Sequence, residues 1–165
     1  MLETKTHVYF WGGIYSQWAK SSFCEMYNKF NTAEQYMMYH KAVLFGDYEI
    51  AEQVLVTNDA RKQKALGREV KNFDEKVWDN YKYDIVVNGN MLKFYQNESM
   101  KLELLKTGDK TLVEGSPYDR IWGVGLKWDD PKILDEKNWK GENLLGKALM
   151  DVRKKIREID EELEA

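Results

Sequence analysis

A 165-residue chain that is 43% hydrophobic and 32% charged has the balance of a globular protein and the length of one domain, which excludes disorder and predicts a single unit over residues 1–165. A net charge of −3 excludes a broad polyanion-binding face and leaves room for a local basic pocket. One cysteine, Cys24, excludes an internal disulfide and a cysteine-based zinc site, and two distant histidines, His7 and His40, supply a metal poorly.

In chain order, "MLETKTHVYFWGG" carries no apolar signal region and nothing downstream approaches the length of a membrane span, so a cytoplasmic protein with no membrane partner is expected. "THVYFWGG" reads as a short strand ending in a Gly-Gly turn. "NTAEQYMMYHKAVLFGD" reads as a helix, with Thr32 and Gln35 in a capping-box arrangement and Gly46 as its stop. "DYEIAEQVLV" and "DARKQKALG" follow as two short helices, the second closed by Gly67. Asn72 and Glu75 give the next capping signal. "IVVNGNMLKF" fits either a helix or a hairpin with an Asn-Gly turn, and the helical spacing of Val77, Tyr81, Ile85 and Asn88 favours a long helix kinked or broken near Gly89.

"ESMKLELLKTG" is a short helix ending at Gly108. The last helix carries the clearest pattern, with Leu145, Leu149, Val152, Ile156, Ile159 and Leu163 stepping by four and three along one face. That stripe packs on the core or, less simply, dimerises, and the acidic end "EIDEELEA" opposes the helix dipole and favours fraying. The class expected is mainly α, a helix-rich α+β fold with a few short strands.

Three clusters hold groups suited to chemistry. Glu34, Met38 and Lys41 share a helix face, as solvated charges or as a cleft wall where a carboxylate acts and a lysine holds an anion. In "LVEGSPYDRIWGVGL", Glu114 and Asp119 flank a Pro117 turn beside Trp122, Gly123 and Gly125. Those acids bind turn amides, or they stand at a cleft edge where an indole lowers local polarity and suits general acid/base work. In "WKGENLLGKALMDVR", Asn143 is placed to cap the last helix and Gly146 to let another backbone or a ligand approach. Arg153 is placed to hold a phosphate or to pair with a carboxylate. Cys24 reads as a buried small residue and His40 as structural or exposed. With six Trp, ten Tyr and six Phe, some rings are left over to line a cleft for a flat ligand.

Taken in order, "YSQWAKSSF" (15–23), "FNTAEQYMMYHKAVLFGD" (30–47), "KALGREV" (64–70), "KFYQN" (93–97), "LLKTGDKTLVEGSPYDRIWGVGL" (104–126) and "WKGENLLGKALMDVR" (139–153) resemble the NADAR superfamily, also called YbiA-like. The resemblance covers nearly the whole chain and implies a compact single-domain YbiA-like fold. It also implies an N-glycosidase that hydrolyses the C1′–N bond of a phosphorylated ribose or an ADP-ribose conjugate. One branch of that family acts on a riboflavin-synthesis intermediate and another on ADP-ribosylated guanine, so the implied partner is a small nucleotide-sugar or an ADP-ribosylated base within DNA. The implied catalytic residues are Glu34 and Asp119. Lys41 and Trp122 bind substrate, with Trp18, Gly123, Glu114, Asn143 and Arg153 in support; no metal or cofactor is implied. Many relatives read Ser-Asn-Phe at Ser16-Gln17-Trp18 and Glu-His-Tyr at Glu34-Gln35-Tyr36. The alternative reading is a sensor that binds ADP-ribose or NAD without hydrolysis, or a structural protein that keeps the fold alone.

Overall fold

Side-chain caps start four successive helices in the computed structural model, which describes residues 1–165. The Thr32 hydroxyl accepts from the Gln35 amide and starts α1 (Ala33–Leu44). Asp47, Asp59 and Asp74 do the same for α2 (Tyr48–Leu55), α3 (Ala60–Arg68) and α4 (Glu75–Gln96). Each carboxylate or hydroxyl satisfies an amide that the first helical turn leaves without a partner. α5 (Glu98–Lys106) and α6 (Leu144–Glu164) complete a helix-rich fold. The strands are short: β1 (Leu2–Glu3), β2 (His7–Phe10), β3 (Phe23–Glu25), β4 (Asn28–Phe30) and β5 (Thr111–Glu114). No helix is long and apolar enough to cross a membrane. The chain folds into two compact units, residues 17–98 and the flanking stretches 1–16 and 99–165 together.

In the unit formed by residues 17–98, β3 and β4 make an antiparallel hairpin in which Phe23 pairs with Phe30. These two rings pack with Tyr36 of α1, and Tyr39, Leu55, Ile85 and Leu92 close around them. α1 ends in a Schellman motif: Gly46 adopts a φ of 72°, its amide donates to Val43, and that of Asp47 donates to Ala42. Gln35 returns its carbonyl to the Asn31 amide, one residue before the cap, and its NH2 donates to the Val54, Leu55 and Thr57 carbonyls at the end of α2.

Two glycines expected to end or break helices lie inside them instead. Gly67 does not close α3, which runs on to Arg68; a Cβ there would strike the Met38 side chain where α3 crosses α1. Gly89 does not break α4, and the Asn-Gly hairpin is not formed: the helix is continuous, and the missing Cβ makes room for the Tyr36 ring. α4 is capped by Asp74 rather than Asn72, which takes a left-handed turn conformation (φ 62°) two residues earlier. Cys24 is exposed on β3 rather than buried.

In the other unit, β2 pairs antiparallel with β1 and parallel with β5, in the register His7 to Thr111 through Phe10 to Glu114. Tyr9, Val113, Val124, Leu126 and Ile133 form the core beside this sheet, with Trp128 and Trp139 packed on it. The α6 stripe is buried from Leu145 through Ile156, while Leu163 is 74% exposed, so the apolar face outlasts the core it covers. The acidic end still reaches Glu164 as helix.

Asn143 stands at the N-cap position of α6 but does not cap it. The amides of Asn143, Leu144 and Leu145 donate to the carbonyls of Gly123, Ile121 and Trp122, so the loop after β5 satisfies that helix end. This frees the Asn143 side chain to grip β5: its Oδ1 accepts from the Glu114 amide (3.0 Å) and its Nδ2 donates to the Leu112 carbonyl (2.9 Å). Gly146, one turn on, admits the Leu112 carbonyl, so a backbone rather than a ligand fills the space that this glycine leaves.

Asn143→Ala leaves a buried donor and a buried acceptor of β5 without partners and is expected to cost about 3 kcal/mol. Urea unfolding measures this, and an unchanged midpoint would refute the clamp. Lys93, fully buried in α4, supplies a pH signature. Burial brings its ammonium from 10.5 down to about 7. Between those values the unfolded chain binds more protons than the folded one, so this group makes stability rise with pH across that window. Lys93→Met should therefore stabilise the protein at about pH 7 and lose that advantage toward about pH 10, seen as converging urea midpoints.

Candidate functional site

In the 17–98 unit, the first turn of α1 places Glu34 where the helix dipole favours a carboxylate, and its amide donates to the Gln17 carbonyl (2.9 Å). Glu34 is only 6% exposed, which removes the reading of Glu34 and Lys41 as two solvated charges. Lys41 is half-buried, with its Nζ 4.7 Å from the Phe73 ring centroid and 5.7 Å from that of Trp78. Burial pushes the Lys41 ammonium below its ordinary value; the Glu34 carboxylate acts in the opposite direction, and the Arg68 guanidinium adds to the lowering. Lys41 thus stands against two rings and within the fields of the Glu34 carboxylate and the Arg68 guanidinium, a set suited to an anionic group attached to a flat one.

Arg68, Phe73 and Trp78 were not among the residues that sequence reasoning selected. They arrive on three different segments, and no local spacing relates them to Glu34. Trp18 lies in the same unit near the start of α3, with the Arg61 guanidinium carbon 5.9 Å and the Lys64 Nζ 6.0 Å from its ring centroid. The two departures from the family pattern have structural explanations. Gln35 is 1% exposed and binds backbone only, and Gln17 accepts from the amide of buried Asn90 (2.8 Å).

In the other unit, the loop after β5 gathers Glu114, Asp119, Trp122 and Gly123. Asp119 Oδ1 accepts from the Ile121 and Trp122 amides (2.9 and 2.8 Å), the expected habit of an Asp in a turn. Its Oδ2 accepts no protein hydrogen bond, so one oxygen fixes the loop and the other remains available. Trp122 is half-buried. A Cβ on Gly123 would crowd the carbonyls of Asp119 and Glu114, so this glycine accommodates the loop's own chain. Asn143 is 2% exposed and positions the strand from below. Arg153 stands apart from this loop and is 6% exposed; its Nη1 donates to the Thr107 hydroxyl and the Lys110 carbonyl, which accounts for the residue as a brace of the turn before β5. Burial pushes its guanidinium down from the ordinary value, Arg157 adds to that lowering, and Asp109 and Tyr15 oppose it.

A family model described as the NADAR domain matches residues 9–157. An N-glycosidase of Acanthamoeba polyphaga mimivirus is 44% identical over 165 residues, 92% of this chain and 97% of that protein. An N-glycosidase of Nostoc punctiforme is 34% identical over 128 residues, 78% of this chain and 75% of its own. The NMR structure of the Escherichia coli protein YbiA has the same fold, with a TM-score of 0.78 at 24% identity over 99% of this chain and 91% of that one.

The charge arrangement at Lys41 can be read directly. An NMR titration of its ε-carbon should give a midpoint below that of an ordinary lysine, and Glu34→Gln should lower it further by removing the one charge that favours the ammonium. A midpoint unmoved by Glu34→Gln would show that the two groups are not coupled.

Proposed function

Because the chain belongs to the NADAR family and is an N-glycosyl hydrolase, we propose that it cleaves the C1′–N bond of an ADP-ribosylated base such as guanine, free or within DNA, with residues 1–165 acting as one domain. The observation that supports this reading is Lys41 set against the Phe73 and Trp78 rings and within the fields of buried Glu34 and of Arg68. Breaking an N-glycosidic bond gives the ribose oxocarbenium character, which a desolvated carboxylate stabilises. Glu34 takes that task. Lys41 and Arg68 hold the anionic phosphate, and the Phe73 and Trp78 rings give the flat group an apolar wall.

A second group must activate water or protonate the departing base, as paired carboxylates do in O-glycosidases. Asp119 is assigned to it. Its Oδ2 is available for a proton while Oδ1 holds the loop, and Trp122 provides a stacking plane next to it in sequence.

Chromatography of products from ADP-ribosylated guanine, the riboflavin-synthesis intermediate, NAD and ADP-ribose tests the substrate. Release of free guanine from the first is expected. Glu34→Gln and Asp119→Asn are each expected to lower turnover by about 100-fold or more, with Lys41→Ala raising KM. Wild-type turnover in both carboxylate variants would overturn the mechanism, and ligand-induced thermal stabilisation with no released base would make the protein a sensor.

A further inference from the structure

α3, "ARKQKALGR", carries Arg61, Lys62, Lys64 and Arg68 and no acid, in a chain whose net charge is −3. Helical spacing sets Arg61, Lys64 and Arg68 on one face. All three are exposed, as is Lys20, and none of the four forms an ion pair within the protein. Two of these cations stand at the outer limit of contact with the Trp18 indole, itself 40% exposed. Beside the indole is a cavity of about 290 Å³ lined by Trp18, Lys20, Thr32, Asn58, Asp59 and Ala60. The one carboxylate in its wall, Asp59, uses an oxygen to cap α3 through the Lys62 amide (3.0 Å). At the far end of the same face, Arg68 lies close enough to Lys41 for its charge to lower that ammonium's proton affinity. Seven residues of helix separate Arg61 from Arg68, a rise of roughly 10 Å.

We infer that Trp18, Lys20, Arg61 and Lys64 form a subsite for a second nucleotide, with its base against the indole and its phosphate among the three cations. The inference rests on the reading of Glu34 as part of the reaction centre. The α3 face then carries phosphate from this subsite toward Arg68, over a span that fits a diphosphate with its ribose. The cavity is at the small end of ligand pockets and suits one base rather than a whole dinucleotide. Stacking on an exposed indole is tolerant of base identity, and free lysines and arginines supply the phosphate contacts. The occupant of the subsite is therefore the nucleoside joined through phosphate to the ribose of the substrate proposed above. That nucleoside is either the adenosine of a free ADP-ribose conjugate or a neighbouring nucleotide in a strand, since both present the same chemistry.

Steady-state kinetics of the full chain test this on three substrates sharing the scissile bond: a base riboside 5′-monophosphate, the ADP-ribosylated base, and that ADP-ribosylated base within a short single-stranded oligonucleotide. The exposed pair change Arg61→Ala with Lys64→Ala is expected to raise KM at least about tenfold for a substrate that fills the subsite and to leave the monophosphate unchanged. A rise already present with the free ADP-ribosylated base assigns the subsite to its adenosine; a rise confined to the oligonucleotide assigns it to the strand. Equal effects on all three substrates, or a fall in thermal stability with no change in KM, would overturn the subsite and leave Arg61 and Lys64 as surface partners of Trp18. Quenching of Trp18 fluorescence by ADP and by a short oligonucleotide separates this from the catalytic reading. Quenching that the pair change abolishes, in a wild-type protein that hydrolyses nothing, would support the subsite and sink the mechanism. Hydrolysis without quenching or selectivity would do the reverse.

Discussion

A buried side-chain amide is best held when both its oxygen and its nitrogen find partners, and three amides that meet this requirement organise both units of the chain. Asn143 meets it by gripping β5 on both sides of Val113, which fixes the strand that leads into the Asp119 loop. Gln35 meets it with the end of α2 and the entry to α1. Gln63 meets it with Thr32, Asn31 and Thr57, tying α3 to the turn that starts α1. An unmade bond at any of these positions leaves a polar atom buried at a cost of about 1 to 3 kcal/mol, comparable to what a single well-packed contact contributes. The candidate residues thus stand on backbone held by amides that take no part in chemistry.

Burial also separates charges that look alike in the sequence. Lys41 stands in an aromatic setting where burial lowers its proton affinity and the buried Glu34 carboxylate acts to raise it. Arg153, an equally attractive phosphate ligand by type, is occupied by Thr107 and Lys110. The cations of α3 form a third case, exposed and without acidic partners. Partner atoms rather than residue type set the brace apart from the proposed reaction centre and the proposed subsite.

The helices were legible in the sequence because their signals are local. The Thr32 cap, the Gly46 stop and the four-three stripe of α6 each lie within a turn or two of what they specify. What local spacing misread were glycines whose reason lies elsewhere in the chain: Gly67 yields to Met38 and Gly89 to the Tyr36 ring, contacts between segments distant in sequence. Asn143 was misread for a related reason, since loop carbonyls after β5 had already filled the place of a side-chain cap. Glu34, Lys41, Asp119 and Trp122 were singled out as candidates by spacing and turn chemistry before the resemblance gave them roles. Arg68, Phe73 and Trp78 were not, because only tertiary packing brings them to Lys41.

The two oxygens of Asp119 have unequal freedom. With Oδ1 bound by two amides of its own turn, the carboxylate has already given up its rotational entropy during folding. A ligand that meets Oδ2 encounters a group whose direction is fixed beforehand, so the encounter carries almost no further ordering penalty. An aspartate in the same loop without those two amides would have to be immobilised anew by each ligand it met.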